Sequence, residues 1–409
     1  MNSKKSKLWT KDFVVIFIEN FLAALSFYLL MIVMSRYAMS KFDSSPGEAG
    51  FSASIFIIGG LIARLFIGRW IGQVGHKKTL CVGVILSLIM TVLYFEVNSV
   101  ILLLAVRFLH GVGFGITATS TATIAANIIP MERKGEGISY FGLSQILATA
   151  IGPFLGIFIS QHGRFSTIFA TCIVASAIGL MILPFLSSLH NMDLTKEQLD
   201  KMKEFKLNNF FESRVIPISI IAMSIFICYS SVVSFLAVYA QEIHLVDAAS
   251  FFFIVYAAVI LVSRPIIGKL FDLKGENAIM YPSILIFSIG MLLFSQTHHG
   301  YTLLLAAALI GLGFGAIQSS TQTISVKITP QHRMGLANST YFAFSDIGMG
   351  LGPLVVGFII PFTGYRGIYM VLAIFAAICL LLYYLLYGKK AVSGKDEARL
   401  KSTQRIMKI

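Results

Sequence analysis

Twelve runs of 19 to 26 mostly apolar residues, parted by short polar breaks, decide what this chain of 409 residues can fold into. A helix needs about 20 residues to cross the hydrocarbon core of a bilayer. Within that core every backbone N–H and C=O must be satisfied inside the protein. The runs therefore predict spanning helices at 12–36, 50–71, 79–97, 100–125, 135–160 and 166–187, then at 215–240, 249–270, 277–296, 301–325, 335–360 and 366–388. Charged residues make up 12% of the chain, about half the roughly 25% of a soluble protein. A multidomain soluble enzyme is excluded, and an all-α polytopic membrane protein is expected.

The one long polar stretch, near 189–214, divides the runs into an N-terminal six-helix bundle (1–188) and a C-terminal one (215–390), with a basic tail at 391–409. Thr195 and Gln198 have the spacing of a capping box, which predicts a short surface helix within the linker. The net charge of +13 would point to nucleic acid in a soluble protein. Here the basic residues lie between apolar runs, so no nucleic-acid partner is expected. Of the 32 Lys and Arg, 25 fall on the side of the termini and linker, four on the other side (Arg36, Lys41, Arg164, Arg366) and three within spans (Arg64, Arg107, Arg264). The excess of positive charge marks the cytoplasmic face, so a multi-pass protein of the cell membrane with both termini and the linker on the cytoplasmic side is expected. The first run is too long for the core of a cleavable signal.

Cys81, Cys172, Cys228 and Cys379 stand singly in apolar segments. They predict packing rather than a disulfide framework or a metal set. Neither a phosphate-cradling GxxxxGK[ST] nor an HExxH occurs, so ATP drive, a cofactor, a metal and enzymatic chemistry are not expected.

An internal repeat runs through the chain at an offset of 200. Residues 64–75 (RLFIGRWIGQVG) match 264–275 (RPIIGKLFDLKG), pairing Arg64 with Arg264, Gly68 with Gly268, Arg69 with Lys269 and Gly75 with Gly275. The same offset pairs Gly111, Gly113, Phe114 and Gly115 with Gly311, Gly313, Phe314 and Gly315. It also pairs Pro130, Arg133, Gly135, Gly152 and Pro153 with Pro330, Arg333, Gly335, Gly352 and Pro353. Parallel six-helix repeats with a site between them are a transporter architecture.

These residues carry a resemblance to the major facilitator superfamily that spans nearly the whole chain. Gly68–Lys78 (GRWIGQVGHKK) resembles its signature between helices 2 and 3, with Gly72 in place of the usual acid and Gln73 in place of a basic residue; the second half keeps the acid as Asp272. The stretch from Arg107 to Gly113 (RFLHGVG) resembles the fourth-helix motif of proton-coupled members, with His110 in the Gln position. Ala148–Gly156 (ATAIGPFLG) resembles the fifth-helix antiporter motif, with Ala148 and Ile157 in place of two glycines. Together these are similar to the twelve-helix drug:proton antiporter branch. The resemblance implies alternating access by a monomer, with gating by Gly68, Arg69, Gly75, Lys77, Lys78, Gly111, Gly113, Gly152, Pro153, Gly156, Gly268, Lys269 and Asp272.

An ionisable group at mid-membrane costs at least about 2.5–3.5 kcal/mol and points to function by default. Glu19, Arg107, His110 and Asp346 are the candidates for proton coupling. Desolvation disfavours a charge, so a carboxylate in such a place takes up and releases a proton as its access to water changes, while Arg107 would hold a carboxylate charged or be freed when that carboxylate is protonated. Static hydrogen bonding that merely fixes helix packing is the alternative for each. Arg64 and Arg264, nearer the cytoplasmic ends, read as anchors or gates.

Polar and aromatic stripes at helical spacing predict the substrate cavity: Asn20, Ser26, Tyr140, Gln145, Tyr229, Tyr256, Gln318, Gln322 and Tyr341. Such rings suit a flat apolar or cationic cargo. Proton-driven export of a small drug-like or amphipathic compound is the leading expectation. Export of one metabolite, such as a metallophore, sugar or nucleobase, and proton-coupled uptake are the alternatives.

Overall fold

The computed structural model describes residues 7–44, 46–162, 164–187 and 210–389. The capping box at Thr195 and Gln198, most of the linker and the basic tail lie outside the described residues. Among those described, the regular structure is helical: α1 (Lys11–Phe42), α2 (Pro46–Val74), α3 (His76–Leu93), α4 (Val100–Ile128), α5 (Lys134–His162) and α6 (Phe165–Ile182). After these come α7 (Ile216–Glu242), α8 (Val246–Lys274), α9 (Glu276–Ser295), α10 (Gly300–Lys327) and a fifty-residue stretch, Met334–Tyr383. At 1.5 Å per residue that stretch is about 75 Å long, far more than a bilayer needs. It breaks at Gly364, whose φ of 66° and ψ of 175° lie outside helical space, into α11 (334–363) and α12 (365–383).

Eleven apolar stretches among the described residues are long enough to span a membrane, one of them crossing the Gly364 break. Their outer faces carry exposed Ile101, Leu273, Phe358 and Phe362, as lipid contact allows.

Helix ends follow local chemistry rather than hydropathy. Thr10 Oγ1 accepts from Phe13 N at 3.2 Å and Ser99 Oγ from Leu102 N at 3.3 Å, starting α1 and α4. The first helix runs on to Phe42, past the apolar run ending at 36. Near its end Lys41 donates to the Tyr37 hydroxyl (2.9 Å) and to the Val97 carbonyl (2.7 Å). Hydrophobic runs measure bilayer thickness, whereas helical hydrogen bonding continues wherever polar side chains find partners.

The repeat is visible in backbone geometry. Gly75 (φ 95°) and Gly275 (φ 86°) make the left-handed turns between α2 and α3 and between α8 and α9, a conformation that glycine adopts without penalty. Pro130 and Pro330, with ψ of 144° and 147°, precede matched 3₁₀ turns, after which α5 and α11 begin.

Two compact units emerge, one of residues 1–214 with 325–347, the other of 215–324 with 348–409. In the first, α4 packs between α2 and α3 while α1 lies on α5. Glycines make these contacts close. A Cβ on Gly111 would meet the Phe56 carbonyl, one on Gly115 the Gly60 carbonyl, and one on Gly113 the Ser87 side chain. On α5, Gly152 and Gly156 face Tyr28 and Ile32 of α1 in the same way.

Candidate functional site

Glu19 sits on α1 among apolar residues and is only 3% exposed. Its carboxylate rests against Gly179 of α6, where a Cβ would come within 2.5 Å of Oε2. Oε2 has no hydrogen-bond partner. The carboxylate opens on a pocket lined by Ser26 of α1, Ser87 of α3, His110 and Thr117 of α4, and Ser176 of α6. There is room for about one water molecule.

Three residues singled out from the sequence thus share one pocket: Glu19, Ser26 and His110. The His110 Nδ1 lies 3.1 Å from the Tyr94 hydroxyl, and its ring meets Phe56 edge-on. A neutral His110 that accepts there carries its proton on Nε2.

Arg107 is completely buried. Its Nε donates to the Ser52 carbonyl at 3.0 Å, and its guanidinium lies over Phe56 at 4.7 Å. Asp346 forms an ion pair at 2.9 Å with Arg64, the residue read from the sequence as an anchor. Arg64 also lies over Phe342 at 4.8 Å, and its carbonyl accepts from Ser339 Oγ. Gly68 lets this contact form, since a Cβ there would meet Ser339. Asp346 and Arg64 thereby join α11 to α2 within the first unit.

Asn20 is buried between helices. Its Nδ2 donates to Ser144 Oγ at 2.8 Å and its Oδ1 accepts from Thr121 Oγ1 at 3.0 Å, tying α1 to α5 and α4. Tyr140 is half-buried with its ring 5.3 Å from Trp9. Tyr341 is buried, and Gln145 is half-buried on α5. Of the loop motif, Lys77 donates to the Leu186 carbonyl at 2.6 Å, Arg69 lies over Phe210, and Lys78 is exposed.

The second unit holds a stack of rings. Tyr229 of α7 lies parallel to Phe314 of α10 at 3.9 Å and to Tyr256 of α8 at 5.5 Å, with Phe226 edge-on to Phe314. Arg264 donates to Gln318 Oε1, and Gln322 is buried on the same helix. Gly268 is buried, Asp272 half-buried and Lys269 exposed.

Sequence reasoning missed Ser87, Ser176, Gly179 and Tyr94, single small or hydroxyl residues in apolar helices that no periodicity marks. It also missed Glu212, which pairs with Arg333, while the repeat mate Arg133 pairs with Glu136 at 2.8 Å. The clue was present: Leu336 stands where Glu136 does in the first half, so Arg333 needed an acid from elsewhere.

Spanning helices built on one repeat, with ionisable groups buried among them, are the organisation of a secondary transporter. The sequence profile of the Major Facilitator Superfamily matches residues 16–297 and 246–407, and the chain belongs to that superfamily. It is a polytopic membrane transporter and not an enzyme. It is 26% identical over 384 residues to an uncharacterised MFS-type transporter of Methanocaldococcus jannaschii, covering 92% of this chain and 98% of that one. It is 24% identical over 413 residues to the multidrug resistance protein MdtG of Escherichia fergusonii, covering 96% and 97%. Among solved structures, the human organic anion transporter MFSD10 superposes with a TM-score of 0.75 at 14% identity, over 91% of this chain and 98% of that one. This last likeness concerns the fold alone.

Proposed function

We propose that the protein exports a small drug-like or amphipathic compound in exchange for protons, by alternating access of two six-helix halves. The observation that carries this reading is Glu19. It is a titratable group buried on α1, with an unpartnered oxygen beside a small pocket of mixed polar and apolar lining that includes His110. A carboxylate so placed is stable when protonated and costly when charged, so it takes a proton when water reaches it from one side and yields it to the other. Exchange follows if cargo and proton favour opposite states of the transporter.

Arg64 and Asp346 are assigned to the gate. Their pair joins α2 to α11 beside Gly68 and Ser339, where attraction holds one state and separation releases it. The Tyr229, Tyr256 and Phe314 stack supplies flat aromatic surface for a planar or cationic cargo. The name of the Escherichia fergusonii relative supports that cargo class. The 25-to-4 bias of Lys and Arg supports cytoplasmic termini in the cell membrane.

A drug-susceptibility comparison tests the cargo class. Cells producing the protein should tolerate lipophilic cations such as ethidium at higher concentrations than cells producing Glu19→Gln. Equal tolerance, with both proteins present in the membrane, contradicts the reading.

A further inference from the structure

The pocket around Glu19 gathers hydroxyl residues among apolar ones. Ser26, Ser87, Thr117 and Ser176 line it from four helices, beside His110 and apolar side chains such as Leu22, Val84 and Phe114. Glu19 Oε2 and Thr117 Oγ1 are buried without hydrogen-bond partners, on residues 3% and 1% exposed. Glu19 forms no ion pair with any described residue. The titratable groups beside it are His110 of α4, whose Nδ1 is taken by Tyr94, and the thiols of Cys81 on α3 and Cys172 on α6, the latter next to Ser26.

A buried carboxylate among neutral groups must be protonated or compensated by a positive charge. Among the described residues no lysine or arginine supplies that charge, and the polar side chains that line the pocket, His110 apart, carry oxygens. Hard cations favour such donors. One carboxylate balances one positive charge. A divalent ion would leave net charge stranded in a low-dielectric interior, whereas a monovalent ion leaves the site neutral. The pocket has room for about one water-sized occupant, which admits a small dehydrated ion and no organic cation.

We propose that this pocket is an alkali-cation site, at which Na⁺ and a proton compete for Glu19 with the hydroxyls of Ser26, Ser87, Thr117 and Ser176 completing the shell. The site shares Glu19 with the coupling role proposed above but needs neither a particular cargo nor a direction of transport. It would make proton uptake at Glu19 sensitive to Na⁺ on the side from which the pocket is reached.

Thermal unfolding of the purified full-length protein in micelles tests this, with NaCl exchanged for choline chloride at constant ionic strength. At pH 8 the wild-type midpoint should rise with Na⁺ and saturate, because a ligand that binds only the native state stabilises it. Lowering the pH to 6 should raise the Na⁺ concentration needed, as expected of competition with a proton. The response should vanish in Glu19→Gln and need at least about fivefold more Na⁺ in Thr117→Val, which removes one ligand and keeps the shape. If Glu19→Gln does not fold, Thr117→Val and Ser87→Ala carry the test. A wild-type midpoint indifferent to Na⁺, a response that ignores pH, or an unchanged response in the folded variants overturns the site. The two roles of Glu19 are separable. A Glu19→Gln protein that loses the Na⁺ response but still exchanges cargo for protons upholds the cation site and defeats coupling. Loss of exchange together with a Na⁺-insensitive wild type does the reverse.

Discussion

Gly179 shows how much a single side chain decides in this protein. A Cβ there would press on the Glu19 carboxylate at 2.5 Å, and the yielding atom belongs to the end of a flexible chain. Gly179→Ala should therefore leave the fold nearly as stable as before, yet displace the carboxylate from its pocket. Ethidium export by Gly179→Ala should fall at least about tenfold, since misplacing a reacting group by about 1 Å costs that much or more. Normal export with the protein at normal levels in the membrane would show that the carboxylate's position does not matter. Glu19 was legible in the sequence because a lone acid in an apolar helix is conspicuous. Gly179 was not, since a glycine in a spanning helix is ordinary and only the fold brings α6 against α1. His110 was legible as a departure from a motif, but its tie to Tyr94 was not.

At the scale of helices, α4 is the element on which the first unit is packed. Its glycines face α2 and α3 at distances that admit no side chain, and the atoms they would meet at Gly111 and Gly115 are backbone. Gly111→Ala should destabilise the protein by about 1–3 kcal/mol through overpacking, read as a lower unfolding midpoint. Gly350→Ala, with nothing within 4 Å of the added carbon, should leave the midpoint unchanged. Equal midpoints for the two variants would contradict the packing described. The glycine pattern and the repeat were plain in the sequence, as were the turns at Gly75 and Gly275.

Partnerships between distant helices were not. Asp346 was legible as a buried acid and Arg64 as a buried base, but helical spacing relates residues within one helix and says nothing about which helices meet. Asp346→Asn should lower export at least about tenfold while leaving insertion intact, and Arg64→Asp with Asp346→Arg should recover part of the loss, as coupled residues do. A double variant no better than either single one would mean that the pair does not act as a unit.

For the whole molecule, the proposed function is an exchange in which cargo would leave as protons enter, with Glu19 as the group that would link the two. Inside-out vesicles with an acidified lumen report both flows, since ethidium fluorescence follows cargo and a trapped pH dye follows protons. With the wild-type protein, ethidium should accumulate in the lumen as the lumen turns alkaline, and with Glu19→Gln neither signal should move. Full exchange by Glu19→Gln, or ethidium and protons travelling in the same direction with the wild type, would contradict the account.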